Sequence, residues 1–162
     1  MDWWFFREGT DAEAHEYLER FLDDGAAGIE GAGPRADFSL ASVPEVLGWI
    51  GTGVELVDAT PADAPEWVRD VVAEHGGGFR ALAEGSRSHV VRAAYYLGAA
   101  FVTTYPVLRW DLGAADRPEV RQPVVTGFGS GEDLPVLPTA EALLAGDDAA
   151  GTVARWRAAV AG

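Results

Sequence analysis

Apolar residues recur at helical spacing through the first half of the chain, and each such stretch follows a residue that can cap a helix. Three residue pairs share the spacing of a capping box, in which a capping side chain is followed three residues later by a glutamate. They are Thr10 with Glu13, Ser42 with Glu45, and Asp63 with Glu66. The pattern predicts three amphipathic helices, the first ending near Asp24 at Gly25, the second at Gly51 and the third at Gly76.

The longest uncharged run, residues 93–108, lies between Arg92 and Arg109. We expect Ser86 to cap a helix of about residues 87–104 that is apolar nearly all round, which is typical of a central helix. Gly98 in its middle predicts the close approach of another element, because glycine costs about 1 kcal/mol there relative to alanine. The run is shorter than the roughly 20 apolar residues that a membrane span requires.

Alternation at a period of two follows this helix. Residues 107–112 and 120–128 predict two strands that pair as a hairpin, and Pro123 indicates an edge position for the second strand. A glycine-rich loop at 127–133 follows, and residues 53–58 predict a further short strand. Thr139 and Asp148 are the expected caps of two C-terminal helices, ending near 145 and 160.

Together these elements predict one α+β domain over residues 1–162, as expected for a chain of this length. About five helices would pack around a small, mostly antiparallel sheet, with residues 87–104 as the central helix. An aromatic N-terminal segment occupies residues 1–9. Residues 25–35 are rich in glycine and predict a flexible loop between the first two helices.

Charge restricts the class of partner. Twelve basic and 26 acidic residues give a net charge of −14, which disfavours binding to nucleic acid because the phosphate backbone would be repelled. There is no cysteine, so disulfides and thiolate metal sites are excluded. The first residues lack the features of a signal peptide. We therefore expect a cytoplasmic protein.

Two short motifs resemble catalytic or metal-binding patterns without completing them. His75 precedes three glycines, as in the oxyanion loop of some hydrolases, and Ser130 is the nearest candidate nucleophile, although Phe128 interrupts the usual nucleophile motif. His15 and Glu19 would share a helix face, but no third metal ligand has suitable spacing. The sequence favours helix-end and surface roles for these residues and predicts no catalytic residue, no metal and no cofactor.

Aromatic and arginine side chains, which dominate interface hot spots, give the candidate binding residues. Arg92 and Tyr96 lie one turn apart on the central helix, and Trp110 on the next strand could complete a partly polar pocket with them. Trp3 and Trp4 belong to four consecutive aromatic residues that end at Phe6. These aromatics dock on the domain's own core or form a site for a partner or a second copy.

Three segments resemble an uncharacterised family of small bacterial proteins. Residues 37–47 are similar to the family's DYSxxSLxxLD pattern, and residues 95–102 with 108–110 resemble its YLGE helix and GGxW strand; shorter likenesses occur at 123–125, 137–139 and 143–146. Ala99 replaces the family's glutamate, and residues 104–106 replace its glycine pair. The resemblance implies an α+β fold and no particular activity.

The sequence thus favours a non-enzymatic protein-binding domain, with immunity proteins and adaptors of bacterial systems as candidate classes. It would present acidic and aromatic surface to a basic protein partner. The alternatives are a small hydrolase using His75 and Ser130, or a self-assembling subunit that buries residues 3–6 in an oligomer.

Overall fold

The computed structural model describes residues 5–29, 36–58 and 80–162. Its helices are α1 (Phe5–Glu8), α2 (Asp11–Ile29), α3 (Val43–Ile50), α4 (Arg87–Thr104), α5 (Val136–Ala145) and α6 (Ala149–Ala161). Its strands are β1 (Leu56–Asp58), β2 (Arg80–Leu82), β3 (Arg109–Leu112), β4 (Pro123–Thr126) and β5 (Leu134–Pro135). The fold is the predicted single α+β domain. The third predicted helix, at residues 63–76, lies outside the described residues.

The capping box predicted at the start of α2 is present. The Thr10 N–H donates to Glu13 Oε2 at 2.7 Å, and the Glu13 N–H donates back to Thr10 Oγ1 at 3.3 Å. The predicted end of this helix is wrong, because α2 continues past Gly25 to Ile29. Gly25 is buried against Tyr95, and a Cβ on it would overlap the base of that ring. The glycine therefore permits close packing. The predicted loop 25–35 is wrong for residues 25–29, which are helical, and residues 30–35 lie outside the described residues.

Replacing Thr10 by alanine should lower the free energy of unfolding by about 1 kcal/mol, because the cap and its reciprocal bond are lost. The hydrogen bonds from Thr10 hold the pKa of Glu13 below its ordinary value of 4.5. A lowered folded-state pKa contributes stability that is present above pH 4.5 and is lost as the pH falls through the folded value. Urea unfolding of the wild type and of Thr10→Ala at pH 7 and pH 3 tests this contribution of the Glu13 carboxylate. The difference between them should shrink at pH 3, and an unchanged difference would contradict the reciprocal arrangement.

Helix α3 has the predicted bounds but not the predicted cap. Its apolar face is buried as expected, and Gly51 follows its last residue. Ser42 makes no side-chain capping bond. Its hydroxyl donates to the Ser39 carbonyl oxygen at 2.8 Å and lies 2.7 Å from the Tyr96 hydroxyl. The capping box expected at Ser42 is therefore wrong, because tertiary hydrogen bonds occupy its side chain.

Helix α4 is the central helix, with the predicted bounds. It packs against α2, α3, α5 and strand β4, and nine of its eighteen residues are buried. Ser86 precedes it without capping it, since the Ser86 hydroxyl instead accepts the Glu55 N–H at 3.2 Å. Trp110 from strand β3 lies on Gly98, where a Cβ would overlap its indole ring. The close approach predicted at Gly98 is thus confirmed.

The strands form two antiparallel sheets, β1 with β2 and β3-β4-β5. The predicted hairpin is present, with Trp110 opposite Val125. The edge position predicted for β4 is wrong, because this strand lies between β3 and β5. Pro123 is tolerated because it opens the strand, and β5 pairs only with Val124 and Val125 beyond it.

The last two helices pack the C-terminal part of the chain onto α4 and α3. Helix α5 starts at Val136, three residues before the predicted cap Thr139. Pro138 does not prevent this start, because the first four N–H groups of a helix have no partner within it. Helix α6 follows Asp148 as predicted, although that side chain makes no capping bond. Val153 and Trp156 of α6 are buried.

Candidate functional site: an acidic and aromatic surface along helix α2

Tyr96 lies in the core and not at the surface. Its side chain is fully buried, and its hydroxyl accepts the Phe38 N–H at 3.1 Å. Since the Ser42 proton is donated to the Ser39 carbonyl, the Tyr96 hydroxyl donates to Ser42 Oγ at 2.7 Å. Two of the segments that resemble the bacterial family, residues 37–47 and 95–102, therefore contact each other here. Tyr96 fixes residues 38–42 and offers no surface to a ligand in this conformation.

Arg92 is exposed and Trp110 is partly exposed. The exposed Arg92 side chain packs along Gly28, whose Cβ would lie 3.0 Å from Arg92 Cγ. The half-buried indole of Trp110 is stacked on Tyr95, with centroids 6.3 Å apart and planes 5° apart. The structure therefore brings Trp110 to Tyr95 instead of Tyr96.

Tyr95 is the surface residue that the sequence reasoning missed. A signal for it exists, because Tyr95 and Gly98 are three residues apart and share a face of α4. The glycine that admits Trp110 therefore marks the helix face on which Tyr95 lies. Burial raises the pKa of Tyr95 above its ordinary value of 10, so its hydroxyl stays neutral at physiological pH.

A row of aromatic rings extends from Tyr95 and Trp110 along the side of α2. Phe21 meets Trp110 edge to face at 5.6 Å, and Tyr17 stacks on Phe21 at 6.3 Å. Phe6 meets Tyr17 edge to face at 4.8 Å. Phe6 is buried, so this member of the aromatic N-terminus docks on the domain's own core. Tyr17, Phe21 and Trp110 form a row, and its outer members, Tyr17 and Trp110, are half-buried.

The solvent-exposed face of α2 is strongly acidic. The helix has six carboxylates and one arginine, a net charge of −5. All six acids are exposed. They are Asp11, Glu13, Glu16, Glu19, Asp23 and Asp24. We call this face, with the half-buried rings of Tyr17, Tyr95 and Trp110 beside it, the α2 surface.

The N-terminal end of the α2 surface is held in place by ionic and capping contacts. Arg121 donates from Nε to Asp11 Oδ1 at 2.7 Å, and this bond lowers the pKa of the Asp11 carboxyl. Arg121 has a left-handed φ of 59°, a conformation that costs a residue with a side chain about 1–3 kcal/mol. Because hydrogen bonds from Arg121 and from Thr10 lower the pKa of the two carboxyls, Asp11 and Glu13 both remain ionised at neutral pH.

A cavity of about 270 Å³ opens at this end of the α2 surface. Its floor is apolar, formed by Phe6 and Ala14, and Glu13 and Arg20 stand at its polar part. Burial raises the pKa of Tyr17, which also lines the cavity, to about 12. The neutral phenol and the apolar floor create a recess beside a strongly acidic face.

Of the residues that the hydrolase and metal-site alternatives would use, the structure describes Ser130, His15 and Glu19. His75, Trp3 and Trp4 lie outside the described ranges, so the hydrolase pair and the binding role of the two tryptophans stay predictions. Ser130 is exposed on a loop, where its hydroxyl accepts the Glu132 N–H at 3.3 Å. His15 Nδ1 lies 2.7 Å from the Asp11 carbonyl oxygen of its own helix.

No group of three metal-binding side chains occurs within residues 5–29, 36–58 and 80–162. In the same ranges, no helix has both the length and the apolar character needed to cross a membrane. Comparison of the chain with protein-family models, with curated proteins and with solved structures finds no match in any of the three.

Proposed function

We propose that this protein is a non-enzymatic binding domain that docks a basic protein partner on the α2 surface. The observation that carries the proposal is the run of six exposed carboxylates on one helix, directly beside half-buried aromatic rings. Opposite charge speeds the encounter of two proteins and excludes unsuitable partners. Aromatic anchors surrounded by a polar rim then supply much of the binding energy.

The packing of the aromatic row supports this role. Gly25 and Gly98 let Tyr95 and Trp110 settle against the helices, so these rings are held rigidly before binding. A rigid anchor loses little conformational entropy when the complex forms. Arg92 makes no ion pair within the part of the chain described here. Its guanidinium would recognise a carboxylate or an aromatic ring of the partner and so add selectivity to the acidic attraction.

The small size and the acidic binding face fit an immunity protein or an adaptor of a bacterial system. We place the protein in the cytoplasm, in keeping with its lack of cysteine. We also propose that the protein belongs to the bacterial family that its sequence resembles. The alternative is self-association through residues 3–6, of which Phe6 is already buried in the domain's own core. Light scattering of a variant lacking residues 2–6 distinguishes that role from partner binding.

Neutralising three acids of the α2 surface should weaken partner binding. The variant Glu19→Gln, Asp23→Asn, Asp24→Asn changes exposed side chains only. It removes negative charge from the middle and the second half of the helix and leaves the acids near the N-terminus, which the macrodipole favours. We expect a partner captured from host lysate at low salt to be lost above about 0.5 M salt, and its affinity for the variant to fall about tenfold. Affinity is then measured with the purified partner.

The matched control is Asp116→Asn, Glu132→Gln, Asp147→Asn, which makes the same change in net charge at exposed positions elsewhere. This control should bind like the wild type. Equal loss of binding in both variants would show a general charge effect and no docking on α2. Unchanged binding of the α2 variant would overturn the proposed site. If capture at low salt returns no stoichiometric partner, the proposed function itself fails.

A further inference from the structure

A second recess lies on other elements of the molecule, between the start of α3 and the length of α6. It is an open groove of about 610 Å³. We call it the α3–α6 groove; it is lined by Leu40, Ala41, Pro44, Ala150, Val153, Ala154, Arg157 and Ala158. Val153 is its buried floor, and the alanines of both walls are exposed.

The charge of this groove is opposite to that of the α2 surface. Helix α6 carries Arg155 and Arg157 and no acidic residue, although the whole chain has a net charge of −14. Arg157 is the one charged residue among the groove's lining residues, and it makes no ion pair within the described ranges. The Arg155 guanidinium is placed differently, 5.1 Å from the centroid of the Trp156 ring.

We propose that the α3–α6 groove binds an amphipathic helix of a partner protein that carries a carboxylate for Arg157. The groove is apolar along its length and has a single cation at its wall, so its complement is an apolar stripe flanked by an acidic residue. Arginine suits this contact because its planar guanidinium can hold a carboxylate through two parallel hydrogen bonds.

The shape of the groove favours a helix over an extended strand. Its lining residues come from α3, the segment before α3 and α6, so no strand edge is present to pair with an added strand. Ala150, Ala154 and Ala158 recur every four residues along α6 and span about 12 Å, or about two helical turns. Their small side chains allow the backbone of a docked helix to approach closely.

The test uses the full chain and designed probe peptides. The first is a fluorescently labelled helical peptide of about 16 residues with alanine and leucine on one face and glutamate on the flanks. The second has glutamine in place of every glutamate, because a basic peptide would also bind the acidic α2 surface. Fluorescence anisotropy at about 0.15 M salt should show saturable binding, with the glutamate peptide bound about tenfold more tightly than the glutamine peptide.

Three variants separate groove binding from general attraction to the protein. Arg157→Glu should abolish the preference for glutamate or reverse it, whereas Arg155→Glu, with the same change in charge on the same helix, should keep it. Ala154→Trp places a bulky ring in the groove from an exposed position, so the fold should be kept and both peptides should bind at least tenfold more weakly. Circular dichroism verifies the fold of each variant.

Three outcomes would overturn this inference. They are the absence of saturable binding, binding that Ala154→Trp leaves unchanged, and an equal response to Arg157→Glu and Arg155→Glu. Sedimentation of the free protein adds a fourth, because a dimer that Ala154→Trp dissociates would make a second copy of this chain the occupant.

Discussion

The variant Gly25→Ala should lower the free energy of unfolding by about 3 kcal/mol, although alanine normally stabilises the interior of a helix relative to glycine by about 1 kcal/mol. The new Cβ would overlap Tyr95 Cγ and lie 2.6 Å from Tyr95 Cβ. These atoms are close to the α4 backbone, so rotation of the ring cannot relieve the overlap and the two helices must separate. Chemical and thermal unfolding measure the loss, which corresponds to a fall in Tm of about 10 °C.

Two further variants make the cause of this loss testable. In a Tyr95→Ala background, Gly25→Ala should be neutral or stabilising by up to about 1 kcal/mol, because the obstacle is gone. Gly48→Ala provides the matched control, since this exposed glycine in α3 has no neighbouring atom within 4 Å of a new Cβ. It should raise stability by about 0.5–1 kcal/mol. Equal effects at Gly25 and Gly48 would contradict the close packing of α2 on α4.

The two helical glycines show what a sequence can and cannot specify. Gly98 lies in the middle of a long apolar pattern, where glycine lowers the stability of the helix, so the pattern predicts that a neighbouring element packs there. Trp110 of strand β3 packs on Gly98. Gly25 lies beside other glycines and alanines, where composition favours a loop. The helix continues there because its glycines face α4, and that tertiary contact has no signature in the local pattern.

Capping motifs show the same limit. Thr10 and Ser42 have the same relation to a glutamate three residues on, yet only Thr10 makes the reciprocal bonds. Thr10 is exposed and its hydroxyl has no competing partner outside the helix start. Ser42 lies near the buried end of the Tyr96 side chain, 54 residues away in sequence. The local spacing therefore predicted where α3 begins, but not how its first residues are held.

The candidate site was predictable in its parts but not in its arrangement. The sequence indicates an acidic chain, surface arginine and aromatic residues, and an amphipathic first helix. Both Tyr95 and Tyr96 lie about one turn from Arg92, so helical spacing alone could not decide which of them meets Trp110. The position of β3 over Gly98 decides it, and it leaves Tyr96 to hold the segment that precedes α3. The α3–α6 groove had no sequence signal, since it is formed by elements more than 100 residues apart.

Tyr96→Phe should lower the free energy of unfolding by about 2 kcal/mol, although it removes only one oxygen atom. The hydroxyl accepts the Phe38 N–H and donates to Ser42 Oγ, and polar groups left unpaired in a partly buried place cost about 1–3 kcal/mol. It also holds Phe38 at a left-handed φ of 56°, which a bulky residue adopts only when its surroundings impose it. Urea unfolding measures the loss, and amide hydrogen exchange of residues 38–42 should become faster.

Tyr105→Phe is the matched control, because Tyr105 follows the C-terminus of the same helix and its hydroxyl makes no hydrogen bond within the described residues. This variant should change stability by less than about 0.5 kcal/mol. Ser42→Ala should cost about 1 kcal/mol, and the double variant with Tyr96→Phe should cost less than the sum of the two, because both remove the same hydrogen bond. Additive losses, or a Tyr96→Phe protein as stable as the wild type, would show that the hydroxyl does not fix the segment before α3.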